Sequence, residues 1–496
     1  MAPSSSSTTA TNFAHKAAQE LGLITLSQCS KDIYLLLLTR FIRMFAYGSS
    51  TLILALYFAA LGHSDTKIGL FMSLTLVGDV LISLALTMVA DSLGRRRILI
   101  LGALLMTLSG AVFATLSNYW ILLLAAVVGV ISPSGNEIGP FRAVEESTIA
   151  HLSDANTRSD IFAWYVVFGT LGTAGGALAC GWVTQGLQAA GWSELAAFRL
   201  VFWIYAAIGL VKAGISLYLS PACEAQQAAA KPEEDPEGID LQEQQPFLAD
   251  GNSAAPAAAP PKPKPPPKKY GITTLSPKSR ATLIRLCALF FFDSLASGMV
   301  PNSLIAFFME RKFGMPQGKL GTILAAASFV SSIGNIMASS IAKRIGLVKT
   351  MVFTHLPSAI FLALFPLPPS LVITIILLVA RASLSSMDQA PRSAFLSAVV
   401  LPEERTAVMG IVNTVKTMSQ SSGPLITGTL AGGGRFWVAF VVAGALKASY
   451  DIGMLTMFVG MRIEGDRQRE RADDDNAARE SDEHSRTSEE AADQGK

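Results

Sequence analysis

Apolar runs long enough to cross a bilayer recur along this chain almost from end to end, separated by short polar breaks. The pattern predicts spans at 33–61, 68–90, 97–117, 119–141, 160–186 and 197–219, then at 281–309, 319–342, 349–366, 370–391, 406–431 and 436–461. The fold class that follows is an all-α membrane protein of twelve transmembrane helices. Between the sixth and seventh runs lies PAAAPPKPKPPPKK, a proline-rich basic stretch that cannot bury a core. The expected organisation is a disordered cytoplasmic N-terminus over 1–31, a six-helix bundle over 32–220 and a cytoplasmic linker over 221–278. A second six-helix bundle over 279–462 and a disordered charged cytoplasmic tail over 463–496 complete it. The linker reads as a tether, with recognition by a polyproline-binding partner as the alternative.

Orientation comes from the breaks. The loop ADSLGRRRIL (Ala90–Leu99) places an acid, a turn glycine and three consecutive arginines between two apolar runs. Adjacent cations are costly to translocate, so this loop is expected in the cytoplasm. Loops on the same side carry Arg142, Arg158, Lys343, Arg344, Lys349, Arg392 and Arg405. The opposite loops, such as Ser117–Asn118 and Leu367–Pro369, are short and nearly uncharged. An even number of spans then puts both termini in the cytoplasm. Residues 1–30 lack a long apolar run, so no cleaved secretory signal is expected.

Composition agrees with the pattern. Of 496 residues, 51% are hydrophobic and only 15% charged, with a mean hydropathy of +0.43. A formal net charge of +2 gives no whole-chain argument for nucleic acid. The four cysteines, Cys29, Cys180, Cys223 and Cys287, are scattered without a CxxC pair, so neither a disulfide framework nor a zinc site is indicated.

The halves repeat each other. DTKIGLFMS from Asp65 lies over QGKLGTILA from Gln317 at an offset of 252, which also carries Asp91 onto Lys343 and Gly94 onto Gly346. GPFRA (Gly139–Ala143) resembles QAPRS (Gln389–Ser393), Arg158 pairs with Arg405, and FRLVFW…GLVKAG with GRFWVA…GALKAS aligns Lys212 with Lys447. Parallel repeats of six spans about an axis along the membrane normal are a transporter architecture.

With these motifs the chain resembles the major facilitator superfamily. Its signature loop between spans two and three reads G-x-L-a-D-r-x-G-R-[KR]. Asp91, Gly94, Arg95 and Arg96 match it, while Thr87 replaces the leading glycine and Ser92 the usual basic residue. The resemblance covers residues 33–219 and 281–461 and implies two six-helix halves around a central cavity. The second copy has Lys343 where the acid belongs, and span four reads VVGVISPSG instead of the drug-antiporter R-x-x-x-G-x-G. No sugar-porter PETKG ending follows span six. The resemblance implies that Asp91 and Arg95 latch the outward-facing state, with Glu145 or Glu146 at the end of span four as acid partners. The alternative is that the arginines set topology only.

Ionisable residues inside apolar spans are costly and should face a cavity or a partner. Arg40 and Arg43 lie in span one, Asp79 in span two, Glu137 in span four and Asp293 in span seven. Arg381, Asp388, Lys416, Lys447 and Asp451 are similarly placed in the second half. An offset of 250 lays RMFAYG (Arg43–Gly48) over DSLASG (Asp293–Gly298), and spans one and seven line the cavity in the family. Arg43 and Asp293 are therefore the leading substrate or coupling pair, with a structural salt bridge as the alternative. Asp79, Glu137, Arg381 and Lys416 are further substrate or coupling candidates. Asp293 is the preferred proton acceptor, with Asp79 and Glu137 behind it. Lys447 and Asp451, four apart, read as a structural pair on one helix. Lys212 reads as snorkelling and His355 as an interfacial residue. The run Gly169–Gly181 predicts close helix packing, and Pro133, Pro140, Pro391 and Pro424 predict kinks.

GMPQGKL (Gly314–Leu320) has the wrong spacing for a phosphate loop, and no hydrolase or metal motif is present. No cofactor and no enzymatic activity are expected. The function predicted is secondary active or facilitative transport of a small solute by alternating access, with protons as candidate coupling ions. A transporter-like sensor or scaffold without flux is the alternative. The protein is expected to be a monomer whose partners are the lipid bilayer and a small-molecule substrate, with no nucleic acid. The membrane it resides in is expected to be the plasma membrane or a vacuolar or other endomembrane.

Overall fold

The structure, a computed structural model, describes residues 23–129, 131, 140–154, 157–224, 277–399 and 405–459. Among them there is no strand. The first half comprises span one (Lys31–Ala60), two (Asp65–Leu93), three (Arg95–Thr115), four (Tyr119–Val128 and Pro140–Leu152), five (Arg158–Ala189) and six (Glu194–Leu217). The second half comprises span seven (Pro277–Met299 and Asn302–Phe313), eight (Gln317–Ile345), nine (Leu347–Leu364), ten (Leu371–Ser385 and Gln389–Val399), eleven (Arg405–Gly432) and twelve (Phe436–Phe458). Among the described residues seven helices, in spans one, three, five, six, seven, nine and twelve, are long and apolar enough to cross a membrane singly. The remaining spans carry more polar residues or are built from shorter pieces. Large apolar side chains such as Trp120, Leu124, Leu81 and Phe353 point outward, as a lipid-facing surface requires.

Three spans differ from the sequence expectation. Spans four and ten run on to Leu152 and Val399, past the positions 141 and 391 where charge had suggested loops. Arg142, Glu145 and Arg392 are thus helical residues. Span seven is interrupted: Pro301 offers no N–H and disfavours helix at Val300, so the helix stops at Met299 and restarts at Asn302. The Thr427 hydroxyl donates to the freed Met299 carbonyl at 2.7 Å, so the break leaves that group satisfied.

The repeat read in the sequence is present in the packing. Span one packs on five and six as span seven packs on eleven and twelve, and span three packs on six as nine packs on twelve. The turn glycines match too. Gly94 and Gly346 both precede a helix with φ of 87° and 89°, a left-handed conformation that favours glycine.

The halves meet where spans two and eleven, and five and eight, cross. A Cβ on Gly69 would stand 2.3 Å from the Pro424 carbonyl oxygen, and one on Gly321 would stand 2.3 Å from that of Ala177. Gly428 and Gly181 complete the two crossings, so the same backbone-to-backbone seam occurs twice. At the end opposite the arginine loop, Arg311 bonds both Asp65 oxygens, at 2.6 and 2.9 Å, and the Gln185 side chain accepts from the Gly318 N–H. The apolar cores follow the same division. One large cluster joins both halves at this end, from Leu52–Phe58 to Leu304–Met309. At the arginine-loop end each half has its own cluster, around Leu36 and Tyr165 in one and Phe290 and Tyr450 in the other. The two halves are fused at one end and separately cored at the other.

Candidate functional site

Each half contains a buried charge cluster built from equivalent spans. In the first half, Arg43 of span one pairs with Glu145 of span four. Tyr165 of span five donates to the same carboxylate at 2.8 Å, and Lys212 of span six lies 3.6 Å from its second oxygen. The Arg40 guanidinium stacks 4.4 Å from the Tyr165 ring centre. Glu145 is fully buried and Lys212 nearly so, which a carboxylate in apolar surroundings tolerates only with partners.

In the second half the central acid is Asp293 of span seven. Arg392 of span ten bonds one carboxylate oxygen at 2.7 Å, and Lys447 of span twelve bonds the other at 2.8 Å. Lys447 also donates to Ser297 at 2.8 Å. Arg392 reaches Asp388 one turn before it on span ten, at the turn that separates the two helical pieces. His355 of span nine joins the cluster to a second acid: Nδ1 stands 2.9 Å from Asp451 and Nε2 3.8 Å from Asp293. Phe290 and Tyr450 present ring faces to the Arg392 guanidinium, and Phe290 also to the Lys416 ammonium at 5.4 Å.

The two clusters are related with their charges exchanged. The acid stands on span four in the first half and on span seven in the second; the arginine stands on span one and then on span ten. The lysines on spans six and twelve keep their place.

A cavity of about 190 Å³ opens beside the second cluster, at the Pro301 break. Asp293, Arg392, Lys447, His355, Asp388 and Arg381 contribute charge or titratable groups to its wall, and Ser297, Ser358, Asn302 and Gln389 contribute neutral polar ones. Ser358 of span nine donates to the Arg381 carbonyl at 3.2 Å, tying the cavity wall together.

These placements correct several expectations. Arg43 and Asp293 occupy equivalent sites, but each finds its partners within its own half. Glu145 is engaged by Arg43 and Tyr165 instead of the loop arginines, and Glu146 pairs with Arg142 at 2.6 Å. The residue that meets the loop is Glu224, beyond span six: its carboxylate accepts from the Arg95 N–H at 2.7 Å and the Arg96 N–H at 3.3 Å, capping span three. Arg96 also donates to the Leu217 carbonyl. Lys447 and Asp451 turn to Asp293 and His355, so they are not a pair on one helix face. Lys212 and His355 are buried instead of snorkelling or interfacial. Asp79 is buried in span two, and Lys416 and Arg381 lie at the second cluster. Glu137 and the Asp91 side chain lie outside the described residues.

Sequence reasoning missed Arg392, His355 and Asp451 as members of one site. The alignments of Arg142 with Arg392 and of Lys212 with Lys447 were the signals that placed equivalent cations in both halves.

A family model of the Major Facilitator Superfamily matches residues 36–285 and 286–486. The chain belongs to the Major Facilitator Superfamily. It is 36% identical over 435 residues to an uncharacterized membrane protein of Saccharomyces cerevisiae, covering 87% of this chain and 95% of that protein. Among solved structures it is similar to a mutant form of the nucleoside transporter NupG (TM-score 0.63, 16% identity, covering 86% and 99% of the two chains). It is also similar to a bacterial homolog of the human lysosomal transporter Spinster in an inward-facing, unoccupied conformation (0.59, 17%, 86% and 96%) and to the D-xylose–proton symporter (0.60, 12%, 85% and 96%). The chain is a multi-pass membrane protein with the fold of a solute transporter.

Proposed function

We propose that this protein carries a small polar solute across the membrane by alternating access, and that the cavity at Asp293 is where the solute binds. The observation that carries this reading is a cluster of paired charges lining a cavity at a helix break inside an apolar bundle. Such groups are expensive in hydrocarbon and mark solute or ion pathways. The separate cores at the arginine-loop end and the fused core opposite fit a carrier closed at one face. With the arginine loop in the cytoplasm, as charge bias expects, that state is inward-facing. Among the proteins of similar fold, one is named a proton symporter, and His355 between Asp451 and Asp293 is the group here best placed to exchange a proton with the cluster.

The test is uptake by proteoliposomes incubated with a uniformly ¹³C-labelled cell extract, with trapped solutes identified by mass spectrometry. Accumulation above empty liposomes, lost in Asp293→Asn protein, is the expected outcome. Folded protein that traps nothing would favour the flux-free sensor instead.

A further inference from the structure

We infer that the cavity at the Pro301 break receives a small hydroxylated carboxylate monoanion, with Arg381 as the residue that meets its charge; this rests on the transport reading above.

Three fixed cations in the wall, Arg381, Arg392 and Lys447, face two carboxylates, Asp293 and Asp388. Arg392 bonds both acids and Lys447 takes the remaining Asp293 oxygen. The acids are thereby committed, and among the described residues none of them pairs with Arg381. A guanidinium inside an apolar bundle without a carboxylate is costly unless it faces water or a group that brings negative charge to it, and the cavity is the space where such a group can enter. The fixed charges of the wall thus leave one positive charge, on Arg381, for a negative charge on the occupant to meet.

The scaffold does not call for this arginine. The register that lays GPFRA over QAPRS places Ile131 at the position equivalent to Arg381, and Ile131 is a buried core residue. The second half alone therefore carries an arginine at this position. The guanidinium fork matches the two oxygens of a carboxylate, which a lysine or a neutral amide would not.

The rest of the wall fixes the body of the solute. Among the described residues of the wall, Val300 and Pro301 are the apolar ones, while Ser297, Ser385 and Asn302 present hydroxyl and amide groups. Such a wall suits hydroxyls and is poor for an aromatic or lipid tail. The volume, about 190 Å³, is below the roughly 300–1,000 Å³ of sites for drug-sized ligands.

The test uses the full-length protein in nanodiscs, titrated separately with glycolate, lactate, glycerate, the neutral amide glyceramide and inorganic phosphate while its unfolding temperature is followed. ¹³C-glycerate uptake by proteoliposomes runs in parallel. At least one hydroxycarboxylate should bind, with glyceramide at least about tenfold weaker than glycerate, a difference typical of a charge-assisted pair. Arg381→Gln should lose that binding about tenfold while unfolding, without solute, no earlier than wild type; Arg381→Lys should recover part of it. Equal response to the acid and its amide, no response to any hydroxycarboxylate, response to phosphate alone, or unaltered binding by Arg381→Gln would each overturn the assignment. Anion binding without entry would uphold the site and sink the transport reading. Entry of neutral solutes alone would do the reverse.

Discussion

Lys447 reaches across the contact of spans seven and twelve to Asp293, 2.8 Å from Nζ to Oδ1, and leaves its own-helix neighbour Asp451 to His355. Removing either partner strands a buried charge, a change that typically destabilises by about 3–5 kcal/mol. Asp293→Asn and Lys447→Met should each lower the unfolding temperature and abolish uptake. The double variant should unfold later than additivity predicts, by a coupling of about 1–3 kcal/mol, and still fail to transport. Thermal unfolding in detergent and uptake in proteoliposomes check the two halves of this expectation.

The doubled glycine seam makes a different prediction. A Cβ at Gly69 or Gly321 falls 2.3 Å from a carbonyl oxygen of the facing span, so the backbones must separate. Gly69→Ala and Gly321→Ala should both loosen the closed end, each at about 1–3 kcal/mol of overpacking. A cysteine at Thr322, whose hydroxyl now accepts from the Trp182 indole N–H at 3.1 Å, should become several-fold more reactive toward an impermeant maleimide in both variants. Alanine at Gly186, which has open space around it, should leave that rate unchanged.

His355 bridges two acids, one in the wall of the cavity and one behind it. If protons drive accumulation, His355→Asn should keep exchange of solute between the two sides while losing the response to an imposed pH gradient. Uptake by wild-type vesicles that ignores the gradient would make the carrier a uniporter, with His355 a structural bridge.

At the mouth of span three, Glu224 caps the helix while the neighbouring Cys223 is buried. Burial, with Asp32 and Glu224 nearby, pushes the Cys223 thiol up to about 11. Only the thiolate reacts, so labelling should be slow at neutral pH and rise about tenfold for each unit of pH below that value. Glu224→Ala should remove the cap, at a cost of about 1 kcal/mol, and speed the labelling at every pH. Mass spectrometry of alkylated Cys223 checks it.

Much of this architecture was legible in the residues. Apolar period and length marked the spans, and the ADSLG and AKRIG loops marked the repeat because a turn that favours a left-handed glycine leaves the same residue in both copies. The site was legible only as a set of unplaced charges. Arg142 and Arg392 read as loop residues because a cation beside a proline resembles a helix end, and no local signal tells that an acid waits on another helix. Lys447 and Asp451 satisfied the i, i+4 rule, yet their partners are 154 and 96 residues away. Local spacing names neighbours on one helix, and three-dimensional desolvation then chooses among all of them.

The placement of both charge clusters inside single halves has an electrical consequence. Glu145 and Asp293 each keep their cations on helices of the same bundle, so a rigid rocking of one bundle against the other carries acid and base together. Moving one elementary charge through 100 mV is worth about 2.3 kcal/mol, and an acid that tilts together with its paired cation takes almost none of it. The paired charges would then contribute little capacitive current of their own. Current across a planar bilayer would report the cations left over from these pairs, Arg381 among them, together with the charge of the cargo and of any ion that travels with it, turnover by turnover.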